Sequence, residues 1–318
     1  MAAVRPLDEV EQQQLRDFLA KTGADMAVAL EGWLPVVSGT DEDDLFACMR
    51  YSVLGDGKRM RPALVLGSYL LAGGQAAERT RSRAIWAGAA MEMIHTYSLM
   101  QDDLPCMDND DLRRGRPTAH KQFNETTAIL ASDGLQTGAF ELLADARVHP
   151  DSAVRLELVR LFARGAGALG MVGGQMVDMM WEWQRGRGEA LEIDVVGLTR
   201  MNRLKTGALI EASCVAGAVL AGNEEMREVL RKFGVALGRA YQVFDDVLDV
   251  VGTADVLGKT PGKDAAAGKA TFATLLGLEG ARAEAEAQAQ AALAVLASFG
   301  EEANMLRLLA RFCVTRKS

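Results

Sequence analysis

The chain has 318 residues, 49% of them hydrophobic and 25% charged, with a net charge of −8. That length supports a large buried core, and the composition excludes wholesale disorder and a small disulfide scaffold. The acidic balance excludes a nucleic-acid binder of the usual kind, which needs a basic face to displace condensed counterions; any phosphate recognition must come from local groups of Lys and Arg.

From the N-terminus, MAAVRPLDEVEQQQ lacks the apolar stretch of a signal peptide. In SGTDEDD, Thr40 or Asp41 is placed to cap a helix with Leu45, Phe46, Met49 and Val53 on one face. GDGKRMRP follows as a glycine-loosened loop carrying Lys58, Arg59 and Arg61. The most apolar run, Ala63 to Ala72, is half the length of a membrane span, so no stable membrane insertion is expected. Beyond the AGG break, Ile85, Ala89, Met93 and Tyr97 mark one face of another helix, which ends in MQDDLPCMDNDDLRRG. No proline lies between Pro150 and Pro261, so long helices are permitted there, with breaks at RGRGE, AGNEE and GKTPGKDAAAGK.

Alternating strand patterns are nearly absent, and no Pro/Gly/Ser-rich stretch marks a boundary. The expectation is one all-α domain over residues 1–318, a large bundle of roughly ten or more helices. Gly88 and Gly238 are expected at close helix contacts. The scattered Cys48, Cys106, Cys214 and Cys313 show no CxxC spacing, so neither a zinc site nor a disulfide framework is indicated, and a reducing, cytoplasmic setting is expected.

Five carboxylates, Asp102, Asp103, Asp108, Asp110 and Asp111, fall within ten positions after an apolar helix. Two carboxylates about 4 Å apart in a partly buried site repel by about 4 kcal/mol at an effective dielectric near 20. A second acidic group, Asp245, Asp246 and Asp249 in YQVFDDVLDV, appears 143 residues after Asp102, with Asp245 and Asp249 one helical turn apart. Such groups on apolar helices are costly unless a cation joins them, and an all-oxygen donor set favours magnesium completed by phosphate oxygens. A solvated helix end accounts for one such group but poorly for two, each flanked by Leu, Val, Met or Phe. Lys58, Arg59, Arg61, Arg113, Arg114, Lys205, Lys259 and Lys269 supply positive charge to match. Two superficial motifs fail. GTADVLGKT has five residues, not four, between Gly252 and Gly258, and DNDDLRRG has Leu112 and Arg113 where a calcium loop needs oxygen ligands and glycine.

Taken together, GDGKRMRP, DDLPCMDNDDLRRG, GMVGGQMVD, KTGALIEAS, YQVFDDVLD and GKTPGKDAAAGKAT resemble the short-chain trans-prenyl diphosphate synthases, nearest the bacterial farnesyl and plant-type geranylgeranyl enzymes, over about residues 40 to 290. The resemblance implies the isoprenoid synthase fold, helices around a central cavity, and a homodimer. It also implies ionisation of an allylic diphosphate and attack by isopentenyl diphosphate. By resemblance, Asp102, Asp103, Asp108, Asp245, Asp246 and Asp249 would bind about three magnesium ions. Arg113, Lys205, Thr206, Gln242 and Lys259 would hold the allylic diphosphate, and Lys58, Arg61, His95 and Arg114 the isopentenyl diphosphate. Gln175 and Asp178 would line the cavity, though His95 taken by itself reads as a satisfied core residue.

Product length in the family depends on the residues four and five positions before the first acidic motif, here Ser98 and Tyr97. An aromatic at Tyr97, with Pro105 and Cys106 lengthening the motif to DDxxxxD, points to a C15 rather than a C20 product. Two departures stand out: Gln101 replaces a common His, and Asp56 interrupts the usual Gly-Gly-Lys. Lys58 and Arg61 argue against a terpene cyclase, which needs no second diphosphate. The two intact acidic motifs argue against a non-catalytic regulatory subunit.

Overall fold

The computed structural model describes residues 3–74, 78–189, 191–251 and 270–316; Lys259, Lys269 and the GTADVLGKT segment lie outside the described residues. The described chain is helical almost throughout: α1 (Glu9–Trp33), α2 (Asp43–Val53), α3 (Met60–Leu71), α4 (Glu78–Asp102), α5 (Ala119–Gln122), α6 (Glu125–Ala144), α7 (Ser152–Ala166) and α8 (Met171–Gly186). Next come α9 (Val195–Asn202), a π-helical turn (Arg203–Gly207), α10 (Ala208–Ala221), α11 (Glu224–Val251), α12 (Phe272–Val295) and α13 (Asn304–Thr315). A two-stranded antiparallel hairpin, β1 (Leu112–Arg113) and β2 (Arg116–Pro117), interrupts the helices after α4.

Short polar side chains start many of these helices by accepting from free first-turn amides: Asp8 for α1, Asn124 for α6, Asp151 for α7, Asp194 for α9 and Thr271 for α12. The cap expected at Thr40 or Asp41 is absent. Helix α2 begins at Asp43, whose carboxylate turns back to accept from the Ser38 and Gly39 amides at 2.9 and 2.7 Å.

The core is organised around α10, which packs against α3, α4, α7 and α11. Its sequence ALIEASCVAGAVLA is small or apolar nearly all round, as a helix enclosed on every side must be. Gly217 brings its backbone against α3, where a Cβ would strike the backbone of Ser68 and Tyr69. Gly88 of α4 meets Pro62, and Gly238 of α11 meets Gly207, each with 3.1 Å left for a Cβ, as the sequence led us to expect. The stretch Val195–Ala221 is long and apolar enough to cross a bilayer, yet 61% of its 18-residue apolar window, of mean hydropathy 1.5, is buried inside the protein, so that apolar surface faces the core.

Candidate active site

Helix α4 ends at Asp102, and the chain folds back onto that end. The Asp108 amide donates to the Asp102 carbonyl at 2.8 Å and the Asp110 amide to the Asp103 carbonyl at 3.2 Å. Asp108 is thereby carried back beside Asp102, and the five carboxylates divide. Arg113 Nε donates to both oxygens of Asp103, at 2.7 and 2.9 Å, and Arg113 also lies 3.9 Å from Asp110. Lys121 pairs with Asp111 at 3.0 Å. Among the described residues Asp102 and Asp108 have no hydrogen-bonding side-chain partner. Burial pushes Asp102 up to about 6, with Lys205 opposing the shift and the Asp108 charge adding to it.

The hairpin then delivers two arginines from one tight turn. Arg114 and Gly115 have φ of 54° and 75°, the left-handed pair that a two-residue turn joining right-twisted strands requires. Arg113 is directed at Asp103, while Arg114 Nη1 donates to the Asp56 carbonyl at 2.6 Å, so Asp56 contributes its backbone to the basic loop. Among the described residues only Arg59, Asn109 and Arg114 have positive φ without being glycine, and all three belong to the two loops singled out from sequence.

The π-helical turn places Lys205 and Thr206. Gly174 of α8 lies so close to Leu204 and Lys205 that a Cβ there would strike their backbone, which explains a glycine at that point. Lys205 Nζ donates to Asp178 Oδ2 at 2.7 Å. The Thr206 hydroxyl donates to Gln242 Oε1 at 2.8 Å, the Gln242 amide donates to Asp246 Oδ1 at 3.1 Å, and the Phe272 amide donates to Asp246 Oδ2 at 2.8 Å. Asp246 is therefore buried within a hydrogen-bond chain, and Asp249 is buried as well. Asp245 instead faces the cavity and accepts from Arg316 at 2.8 Å.

A cavity of about 500 Å³ gathers these groups. Arg61, His95, Asp102, Arg113, Arg114, Gln175, Lys205, Thr206, Gln242 and Asp245 supply its polar lining. Met171, Met176, Met179, Trp183 and Leu209 supply apolar walls, with Tyr97 and Ser98 between them and Asp102 along α4. Asp103, Asp108, Asp178, Asp246, Asp249 and Lys58 are not on its surface; Asp103 lines a neighbouring cleft with Arg113 and Arg114. Burial and the surrounding Arg61 and Arg114 charges push His95 well below its ordinary range, so its ring is neutral near pH 7. Burial, together with the Arg316 charge, likewise lowers Lys58. Among the described residues Arg61 Nε and Gln175 Nε2 are buried without a hydrogen-bond partner, on two side chains that also help line the cavity.

Among the described residues no three His, Cys, Asp or Glu side chains form a closed metal site. The donors are carboxylates only, and those nearest the cavity stand on two separate helices. That set fits a hard divalent cation completed by substrate oxygens and water, and not a transition metal requiring imidazole or thiolate.

Sequence reasoning passed over four contributors. Glu92 is a lone acid in the otherwise apolar AGAAMEMI and must have a buried partner, which is Arg59. Tyr241 lines the cavity one turn before Asp245, and Arg316 lies over its ring at 4.1 Å while holding Asp245. Trp183 sits on the α8 face already marked by Met176 and Met179.

The polyprenyl synthetase family model matches residues 42–310. A dimethylallyltranstransferase of Fischerella ambigua (strain UTEX 1903) is 41% identical over 303 residues, spanning 95% of this chain and 84% of its own. The chloroplastic geranylgeranyl pyrophosphate synthase of Catharanthus roseus is 44% identical over 273 residues, spanning 84% of this chain and 72% of its own. Among solved structures, an FPP/GFPP synthase from Zymomonas mobilis superposes with a TM-score of 0.82 at 39% identity, over 95% of this chain and 99% of that one. A geranyltransferase from Helicobacter pylori, complexed with magnesium and isoprenyl diphosphate, gives 0.78 at 31% identity over 95% and 96%. Family match, fold and motif-lined cavity coincide along most of the chain, which is a member of the polyprenyl synthetase family, with the all-α fold and trans-prenyltransferase character its motifs led us to expect.

Proposed function

We propose that the protein condenses dimethylallyl and geranyl diphosphates with isopentenyl diphosphate, in the presence of magnesium, and stops at farnesyl diphosphate. The observation that carries this reading is one cavity lined both by cationic and acidic groups and by apolar side chains. Arg113, Lys205, Thr206 and Gln242 bind the allylic diphosphate, with Lys259 as a further cation from outside the described residues. Lys58, Arg61, His95 and Arg114 bind the isopentenyl diphosphate.

Asp102, Asp108 and Asp245 are the carboxylates assigned to magnesium, of which about three ions are expected. Asp103, Asp246 and Asp249 support them, Asp103 by fixing Arg113 and Asp246 by fixing Gln242. When bound, the magnesium ions supply positive charge that stabilises the departing diphosphate. The carbon–oxygen bond of the allylic substrate breaks, and the apolar walls keep water from the resulting carbocation. Arg61, neutral His95 and Arg114 hold the second substrate so that its alkene carbon reaches that cation, and a proton then leaves to the departed diphosphate. Asp178 holds Lys205 in place at the edge of this charge exchange.

Tyr97 is buried on the cavity wall and bounds the growing chain, which supports the C15 product. The protein acts as one domain in a homodimer, the assembly that the family resemblance implies. Four free cysteines, three of them buried, support a reducing cytoplasmic setting.

The test is incubation with magnesium, labelled isopentenyl diphosphate and each of dimethylallyl, geranyl and farnesyl diphosphates, reading product length by chromatography. Products ending at C15 are expected. A C20 product would keep the reaction and overturn the length assignment, and no condensation with any starter would overturn the reading altogether.

A further inference from the structure

Behind the basic loop lies a charge that the proposed mechanism does not use. Glu92 on α4 is 1% exposed, and from Ala87 to Ile94 every other residue is apolar or glycine. Its Oε1 accepts from Arg59 Nη1 at 2.6 Å, with both side chains buried. The other end of the Arg59 fork, Nη2, donates to the Gly55 carbonyl at the start of the loop. Arg59 adopts the left-handed conformation, φ 50° and ψ 34°, immediately before α3, and its stem passes Gly23 of α1, where a Cβ would come within 3.3 Å. Three features that each carry a cost therefore meet at one arginine: left-handed backbone in a residue with a Cβ, burial of a guanidinium, and burial of its counter-ion. An apolar pair would fill the same space without the electrostatic cost, so the arrangement is best accounted for by what it holds in position.

What it holds is the loop Gly55–Arg59 and, directly after it, the first turn of α3 with Arg61. Lys58 and Arg61 flank Arg59 in sequence, and Arg114 closes over the loop from the hairpin, its guanidinium lying where a Cβ on Gly57 would stand. Arg59, Arg61, Arg113 and Arg114 all act on His95. Burial lowers both Arg61 and Arg114, and the charge of Glu92 opposes that fall in each, so a single buried carboxylate steadies a crowd of guanidinium groups.

We propose that Glu92 and Arg59 form an internal strut that fixes the Gly55–Arg59 loop and the start of α3, so that Lys58, Arg61 and Arg114 meet the second diphosphate as a preformed cradle. Both are positioning residues: Glu92 acts through Arg59, and Arg59 acts through the backbone it pins. This rests on the assignment of that cradle to isopentenyl diphosphate.

Steady-state kinetics of Glu92→Gln and Arg59→Lys test the strut. The first variant keeps shape and an acceptor but removes the charge; the second keeps the charge but removes the fork. Each is expected to raise KM for isopentenyl diphosphate about tenfold while kcat stays within about twofold and KM for geranyl diphosphate is unchanged. Tryptic cleavage within the loop should also quicken. An unchanged KM for isopentenyl diphosphate in folded protein would overturn the strut, as would an equal rise for both substrates, which is the mark of general destabilisation. If Glu92→Gln does not fold, Arg59→Lys decides alone. Lys58→Ala separates the two levels. Should it leave KM for isopentenyl diphosphate unchanged, the cradle assignment fails and the strut with it; should it raise KM while Glu92→Gln does not, the strut alone is wrong.

Discussion

Carboxylates adjacent in sequence take different work here because they meet different partners. Asp103 is bound to Arg113 through both oxygens, whereas Asp102, one residue earlier, faces the cavity beside Lys205 and Asp108 with its protonation pushed up to about 6. Replacing Asp102 or Asp245 with alanine should lower kcat by about a thousandfold or more and weaken magnesium dependence, and near-normal turnover in either variant would contradict the bridging role. Tyr97→Ala should lengthen the product, since it removes the largest side chain that α4 contributes to the cavity; chromatography showing the same C15 limit would remove Tyr97 as its cause. The acidic clusters, the basic loop and the aromatic before the first motif were all legible in the sequence, being local in the chain. The pairing of Arg59 with Glu92 was not, because the partners stand 33 positions apart and only the fold of α3 against α4 brings them together.

At the scale of elements, apolar periodicity reports burial well and says little about irregular backbone. Ile85, Ala89, Met93 and Tyr97 share the buried side of α4 that their spacing predicts. Two strands of two residues leave no alternating pattern to read, and the clue to the hairpin is only Arg114–Gly115 as a left-handed pair. The π-helical turn at Arg203–Gly207 was equally hidden, because one extra residue per turn changes no composition. Gly88 and Gly238 did mark close contacts in the sequence, although not their partners, which are α3 and the π-helical turn. Such closeness is testable between α3 and α10: Gly217→Ala should destabilise the protein by about 2 kcal/mol in denaturant unfolding, since the added methyl meets α3 backbone that cannot move aside. An unaltered midpoint would mean that α3 and α10 separate more easily than their packing implies.

For the whole molecule, the two ends of the chain are tied to one another. Arg311 of α13 donates to both oxygens of Glu11 on α1, at 2.6 and 2.8 Å, and also to the carbonyls of Arg5 and Pro6. The hydrogen bond from Arg311 leads the effects that hold Glu11 down at about 2, against an ordinary value of 4.5. A carboxylate lowered in the folded state contributes its stability in full above the unfolded value and loses it as pH falls toward the folded one. Glu11→Gln should therefore lower Tm at pH 7, and the gap to the unmodified protein should narrow as pH falls from 4.5 toward 2; a gap independent of pH would refute the ion pair as its source. Helix α10 carries a different consequence, one of timing. Translation delivers α3, α4 and α7 before α10 but α11 only after it, so the ribosome briefly exposes an apolar helix, of membrane-spanning length together with α9, with one side still bare. A chain truncated after residue 223 and released should accordingly sediment with membranes or chaperones, and one extended through α11 should not.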